Sequence, residues 1–308
     1  MKVRAILNPQ AGLRAAATRE AVERGRPGWR DYAVYLTREP GHATALAREA
    51  VAGGAEVVLA VGGDGTVNEV ACGVLGSRAA LGIVPAGSGN GLARALRLPL
   101  RPARALAALE TAERRAMDVG LLNGRLFLNV AGVGFDATVG HAFHESGRRG
   151  GRRGLIGYLR LSLRELRRYR APRLVVQAEG REPLETVPFV LTFANGLQYG
   201  SGAVINPGAK LDDGLLEIAI FEQGPLPVLL AAGPRLFLGG LERLPGYRRL
   251  AVTSATVTGA APFAVHVDGD PEPATDRVLL ELRPLALEVL VPQATVDDPR
   301  GPFVRGRG

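Results

Sequence analysis

Three short stretches of this chain set carboxylates among glycines in patterns that suit phosphate or cation chemistry. They are Gly62-Gly63-Asp64-Gly65-Thr66, Asp212-Asp213-Gly214 and Asp268-Gly269-Asp270. In the first, glycines let the main chain approach an anion closely, and a helix starting just beyond would aim its free N–H groups at the same spot. A carboxylate beside a phosphate repels it unless a cation or a hydroxyl lies between. Asp64 therefore reads either as a residue orienting Mg²⁺ or bound water, or as one that tolerates a tight turn. Asp212-Asp213-Gly214 suits a hard cation bound through oxygen, and equally a hairpin turn. Asp268-Gly269-Asp270 ends an apolar run, Phe263 to Val267. It is either a plain Asp-Gly turn or a pair of acids able to accept a proton. If that turn faces a cleft, Asp268 and Asp64 flank a phosphate there, and nearby carboxylates push one pKa up.

The elements that must hold these residues follow from the apolar pattern. Val57 to Val61 is a continuous apolar run, the mark of a strand buried on both faces of a parallel sheet. Thr66 followed by Glu69 has capping-box spacing and predicts a helix opening at that point, over 67–75. Strands are predicted at Val3–Leu7, Tyr32–Leu36 and Ala80–Val84, with helices to about Arg24, over His42–Ala52 and over Pro102–Glu110. Alternating strands and helices give a doubly wound α/β nucleotide-binding domain over residues 1–116, with ligands at the carboxyl ends of its strands. Small polar turns fall at those ends: Asn8–Gly12, Thr37, Gly62–Thr66 and Gly87–Asn90. Past residue 116 the rhythm is β. Asn123-Gly124 marks a hairpin, and further strands imply a β-sandwich with inserted helices over 117–291. The tail, 292–308, reads as a loose end, part of which packs back on the first domain.

Composition narrows the function classes. With 308 residues and 46% hydrophobic content the chain can bury a full core. No run of 18 apolar residues occurs, and the first residues lead straight into a strand, so a cytoplasmic location is expected. A single cysteine, Cys72, leaves no internal disulfide. Net charge is +8, carried almost wholly by arginine; the two lysines, Lys2 and Lys210, lie outside any glycine loop, so there is no Walker A motif. Nor does Gly-x-Gly-x-x-Gly follow the first strand, which argues against a dinucleotide dehydrogenase. Aromatics make up 5% and do not interleave with the arginine clusters, against a nucleic-acid partner. The Arg148–Arg153 loop and the amphipathic Leu155–Tyr169 that follows read either as a surface helix or as an element docking on anionic membrane.

Taken in order, several motifs resemble the diacylglycerol kinase catalytic family, bacterial lipid kinases related to sphingosine and ceramide kinases. They are Asn8-Pro9-x-Ala11-Gly12, Gly62 to Glu69, Pro85-Ala86-Gly87-Ser88-Gly89-Asn90, Asn129-x-Ala131-Gly132-x-Gly134-Phe135-Asp136, Leu211 to Glu217 and Val267 to Asp270. The resemblance spans nearly the whole chain and implies ATP-dependent phosphorylation of a lipid hydroxyl, of diacylglycerol or a sphingoid-like lipid. It implies that ATP is lined by Asn8, Pro9, Gln10, Ala11, Gly12, Thr37, Gly63, Asp64, Gly65, Thr66, Val67, Asn68, Glu69 and Ser88. Asp268 would be the general base supported by Asp270, with Asp64 also in the catalytic set. Asp213 and the carbonyls of Lys210 and Leu215 would hold Mg²⁺. Asp136 would either reach the acceptor or only cap the next segment. Bacterial diacylglycerol kinases commonly carry Asp after the Asn of the second glycine loop; this chain has Gly91, closer to the sphingosine-kinase branch. The Gly-Gly-Asp-Gly-Thr turn is shared with NAD kinases, so a small-molecule kinase and a non-catalytic nucleotide- or lipid-binding regulator are the alternatives. A lipid acceptor, transient peripheral contact with anionic membrane and a homodimer through an exposed strand edge are the expected partners.

Overall fold

The computed structural model describes residues 1–12, 15–148, 164–166 and 168–304. Its amino-terminal half is built on β1 (Lys2–Leu7), β2 (Asp31–Leu36), β3 (Val57–Gly62) and β4 (Ala80–Pro85). All four are parallel, in the spatial order β4-β3-β1-β2. Every residue of β3 and β4 is buried, as the unbroken apolar run requires. The connecting helices are α1 (Ala15–Glu23), α2 (His42–Ala52), α3 (Asp64–Val74), α4 (Gly91–Ala95) and α5 (Pro102–Glu110). The chain leaves β1 for β2 on one side and returns to β3 on the other. Right-handed crossovers then put α1 on one face and α2 and α3 on the opposite face. α1 indeed packs with α5, and α2 with α3. The reversal lies between β1 and β3, and the crevice opens at their carboxyl ends.

The other half comprises β5 (Glu113–Leu122), β6 (Arg125–Phe127), β7 (Val130–Gly134), α6 (Phe135–Arg148), β8 (Leu174–Ala178), β9 (Leu184–Thr186), β10 (Pro188–Ala194), β11 (Leu216–Glu222), α7 (Leu226–Leu238), β12 (Tyr247–Val252), β13 (Ser254–Val267), β14 (Asp270–Val291) and α8 (Gln293–Val296). This is the β-sandwich. One run of strands is β12-β11-β10-β7, and it joins β13 at Val265–Val267. The amino-terminal part of β13 pairs instead with β8, and β14 pairs with β5. The two faces share a core that includes Phe127, Phe193, Ile218, Val257 and Leu280. Asn123 and Gly124 have φ of 50° and 79°, the type I′ hairpin expected of Asn-Gly.

Four differences from the sequence reading have physical causes. β14 is a single strand of 22 residues, where the apolar pattern predicts two, Arg277–Arg283 and Ala286–Val291. Its register shifts between Arg283 and Leu287, where Pro284 supplies no N–H; the Leu285 N–H turns instead to the buried Asp118 carboxylate at 2.7 Å. β13 likewise fuses the two strands that the pattern predicts at Ala255–Thr258 and Phe263–Val267, across an irregular stretch at 258–263. α6 was not expected, because Gly140 and Gly147 break its apolar spacing. The tail packs back on the first domain as expected, and through residue 304 it is tied down rather than loose: the Thr295 hydroxyl donates to the Leu96 carbonyl at 2.9 Å, and Leu211 N–H donates to the Pro302 carbonyl at 2.7 Å. Most of the expected docking segment lies outside the described residues: residues 149–163 and 167 are not described.

β5 runs straight through the expected boundary at residues 116 and 117. At its far end β14 lies parallel to β4, with Val289 opposite Leu81, so the last strand of the sandwich also extends the α/β sheet.

Candidate active site

The crevice is made by main chain pressed against main chain. A Cβ on Gly12, whose φ is +75°, would stand 2.1 Å from the Ala86 carbonyl oxygen, so the turn after β1 abuts the loop after β4. A Cβ on Gly87 would stand 2.5 Å from the Gly63 Cα, so only glycine allows the loops after β3 and β4 to meet. Asn8 ties the first turn to the second: its Nδ2 donates to Thr66 Oγ1 at 3.2 Å, and its Oδ1 accepts from Gln10 N–H at 3.0 Å. The Thr37 N–H bonds the Leu7 carbonyl at 3.0 Å, placing the end of β2 on the same rim. Pro9, Gln10, Gly65 and Ser88 are exposed there, whereas Val67 is buried in the core.

α3 opens at Asp64, two residues before Thr66, with Gly63 as its N-cap and no side-chain cap. The Thr66–Glu69 capping box does not form. Glu69 instead accepts from Gly41 N–H at 2.9 Å and Ala43 N–H at 3.1 Å, capping the start of α2. Its carboxylate is thus spent on a neighbouring helix, one turn away from the rim.

Asp64 turns toward the second glycine loop. Its Oδ2 accepts from Asn90 N–H at 2.8 Å and its Oδ1 from Gly91 N–H at 2.6 Å. Burial raises its pKa, opposed by those two N–H groups. Asn90 itself sits at φ 52° and clamps its own loop, accepting from Gly87 N–H at 3.0 Å and donating to the Gly87 carbonyl at 2.8 Å. A Cβ at Gly91 would lie 3.1 Å from the Asn129 amide, a tight approach.

Asp268 and Gly269, at φ 48° and 89°, form the two-residue turn between β13 and β14. The turn is also a polar anchor. Asp268 Oδ2 accepts from Leu128 N–H at 2.8 Å and from Asn68 Nδ2 at 2.9 Å. Its Oδ1 accepts from Asn129 N–H at 2.9 Å and Val130 N–H at 3.2 Å. Burial raises its pKa, against the pull of these four donors. Asn68 stands on α3, just beyond the first glycine turn, so it joins the two halves at the crevice. Asp270 is exposed, and its Oδ2 meets Arg125 Nη2 at 3.2 Å. Its other oxygen has no hydrogen-bond partner among the described residues.

Asp136 lies in the first turn of α6. Its Oδ2 accepts from the Tyr199 hydroxyl at 2.9 Å and approaches His266 Nε2 at 3.1 Å, while its Oδ1 accepts from Ala137 N–H at 2.8 Å. His266 is buried and its Nδ1 has no partner among the described residues, which assigns the Nε2–H tautomer, donating to Asp136. A Cβ on Gly132 would stand 2.7 Å from His266 Nε2, so this glycine makes room for the pair. Tyr199 and His266 were not expected from the sequence; their signal was the proximity of Gly132 and Asp136 in one motif.

Asp213 lies in the turn before β11, with its Oδ1 accepting Leu215 N–H at 3.1 Å. The expected set, its carboxylate with the carbonyls of Lys210 and Leu215, is oxygen only, which suits a hard cation. Among the described residues no three His, Cys, Asp or Glu side chains converge on a metal position. A cation in this turn would therefore be held largely by main chain. The neighbouring Asp212 is buried and accepts Val304 N–H at 2.7 Å, and Asp118 accepts Gly214 N–H at 2.7 Å.

Comparison with known proteins agrees with this fold. Residues 2–122 match the diacylglycerol kinase catalytic domain, and residues 129–291 match the YegS C-terminal NAD kinase beta sandwich-like domain. A "Probable lipid kinase YegS-like" protein of Pseudomonas aeruginosa is 36% identical over 286 residues, covering 89% of each chain. The chain belongs to the YegS-like lipid kinase family. A YegS-like relative from Chromohalobacter salexigens is 41% identical over 210 residues, 66% of this chain and 65% of that one. A solved structure of a candidate diacylglycerol kinase from Bacillus anthracis str. Sterne superposes with a TM-score of 0.78 at 25% identity, covering 95% of this chain and 98% of that one. An NAD kinase from Archaeoglobus fulgidus in complex with ATP shares the fold, with a TM-score of 0.52 at 13% identity, over 94% of each chain. As a lipid kinase of this family the chain is a transferase, and among its described residues no helix is long and apolar enough to cross a membrane.

Proposed function

We propose that this lipid kinase transfers the γ-phosphate of ATP to a hydroxyl of a diacylglycerol- or sphingoid-like lipid at the crevice between the two halves. The observation that carries the reading is the Asn68–Asp268 hydrogen bond of 2.9 Å, which holds the acidic turn of the sandwich against the glycine rim. ATP phosphates lie on the main-chain N–H groups of the turns after β1, β3 and β4 and on the amino terminus of α3. Mg²⁺ arrives with ATP and offsets the phosphate charge. A second Mg²⁺ in the turn at Asp213 would brace the start of β11.

The division of labour among the acids follows from which carboxylate oxygens are engaged. Asp64 shapes the second glycine loop with a main-chain N–H on each oxygen, and Asp268 anchors its turn with two donors on each. Asp270, two residues on, keeps an oxygen free and takes the acceptor's proton as the hydroxyl attacks. Arg125 Nη2 lies 3.2 Å from its other oxygen. The Tyr199–Asp136–His266 group orients the lipid headgroup beyond it.

The test is transfer from labelled ATP with Mg²⁺ to dispersed diacylglycerol, monoacylglycerol, sphingosine, ceramide, phosphatidylglycerol and undecaprenol, with NAD as the soluble control. Transfer to one lipid that disappears in Asp270→Asn supports the proposal. Transfer to NAD alone overturns it, as does ATP binding without transfer to any acceptor.

A further inference from the structure

α7 carries an apolar face that the molecule does not cover. Leu226, Leu230 and Phe237 are 55%, 54% and 59% exposed, and Leu238 is 85% exposed. The first three are spaced i, i+4, i+11, which puts them on one side of the helix. Gly233 lies on the same side, and Pro227 and Pro234 border it, so no polar group interrupts the face. The opposite side, with Val228, Leu229, Ala232 and Leu236, packs on Phe189, Phe221 and Tyr169. The helix thus puts one apolar side into this cluster and turns a second apolar side outward.

Charge around this face selects its occupant. The exposed Arg168 and Arg170 flank Tyr169, which packs in the cluster beneath α7. The turn after α7 carries Arg243, whose side chain is 86% exposed, with Glu242 3.8 Å away. From 226 to 249 the chain has four arginines and one acid. An apolar helix face rimmed by cations matches the boundary between acyl chains and anionic headgroups.

The same helix is wired to the site. The Val204 N–H donates to the Leu236 carbonyl at 2.7 Å, and Ser201, in the same loop, donates its N–H to the Gly89 carbonyl at 3.2 Å. Tyr199, also in that loop, holds Asp136. One short loop thus touches α7, the second glycine loop and the carboxylate assigned to the headgroup.

We infer that the outward face of α7 docks on an anionic lipid bilayer and presents the crevice to lipid in the membrane. The inference rests on the lipid-kinase reading for its purpose, but its test is independent of phosphoryl transfer. Full-length protein is sedimented with vesicles of phosphatidylcholine alone or with phosphatidylglycerol. Wild type runs beside Leu230→Glu/Phe237→Glu and Arg168→Gln/Arg243→Gln, with melting curves and sedimentation velocity for each. Wild type is expected to bind anionic vesicles. The first pair lowers partitioning about tenfold or more, and the second about fivefold per arginine. Both leave melting and transfer to a water-soluble short-chain acceptor unchanged. Absent wild-type binding overturns the inference, as does equal binding by the glutamate variant. A wild-type dimer that Leu230→Glu/Phe237→Glu converts to monomer also overturns it, since a second copy would then cover the face. Vesicle binding without transfer to any lipid leaves docking standing and removes the kinase reading.

Discussion

Asp64 and Asp268 stand in acidic glycine turns on opposite sides of the crevice, and each fills both carboxylate oxygens. Asp64 accepts only main-chain N–H groups of its own half, from Asn90 and Gly91. Asp268 accepts three from its own half and a fourth donor, Asn68, from the other. The first carboxylate shapes a loop; the second also fastens two halves together. On the reading proposed above, acids with both oxygens engaged are frame rather than reagent, and the reagent is the acid with an unengaged oxygen.

Removing the fastening acid has the largest expected effect on stability. Asp268→Ala strands three main-chain N–H groups and the Asn68 amide, at a cost of about 3 kcal/mol or more. Urea titration should show it as a lower midpoint with little change in slope. Asp64→Ala strands two N–H groups and costs about 2 kcal/mol. Its defect is confined to the second glycine loop, so ATP affinity by calorimetry should fall while the sandwich keeps its protection against hydrogen exchange. Equal losses in the two variants would erase the contrast drawn here.

The pH response sharpens the same pair. Burial raises both pKa values in the folded chain. Each carboxyl therefore binds its proton more tightly folded than unfolded. Its contribution is fully present below the unfolded value near ~4 and is lost as pH rises through the folded value. The stability advantage of wild type over Asp64→Asn should accordingly shrink from pH 4 toward neutrality in urea titrations. A gap that widened with pH would place the folded pKa on the other side.

Asp270 gives the smallest stability effect. Its partner Arg125 is at the surface, so Asp270→Asn should change stability by less than about 0.5 kcal/mol. Its phosphoryl transfer should nonetheless fall about a hundredfold. If Asp270→Asn retained activity while a folded Asp268→Asn lost it, the roles of the two acids would be exchanged.

The α/β half was readable because its signals are local. Val57–Val61 can only be a central strand, and α2 and α5 begin and end where their apolar spacing says. The Asn123-Gly124 and Asp268-Gly269 turns were equally plain. What stayed hidden depends on partners distant in sequence. Nothing near Glu69 says that it caps α2 rather than its own helix, since the N–H groups it meets lie 28 and 26 residues away. Asn68 and Asp268 are 200 residues apart. Pro284 argued locally for a break in β14, but pairing with β5 on both sides carries the strand past it. The His266–Asp136 contact needed the fold to bring β13 against α6.

β14 has a consequence for how the chain is made. It begins at the turn carrying Asp268, ends beside β4 of the nucleotide sheet, and is 22 residues long. During synthesis β4 leaves the ribosome some 200 residues before the strand that flanks it, so its edge waits unpaired until nearly the whole chain has emerged. A fragment released at residue 122 would carry the entire matched catalytic domain and still lack this edge. The glycine rim and the acidic turn are thus completed together, late, and the unfinished chain is the form most in need of a chaperone.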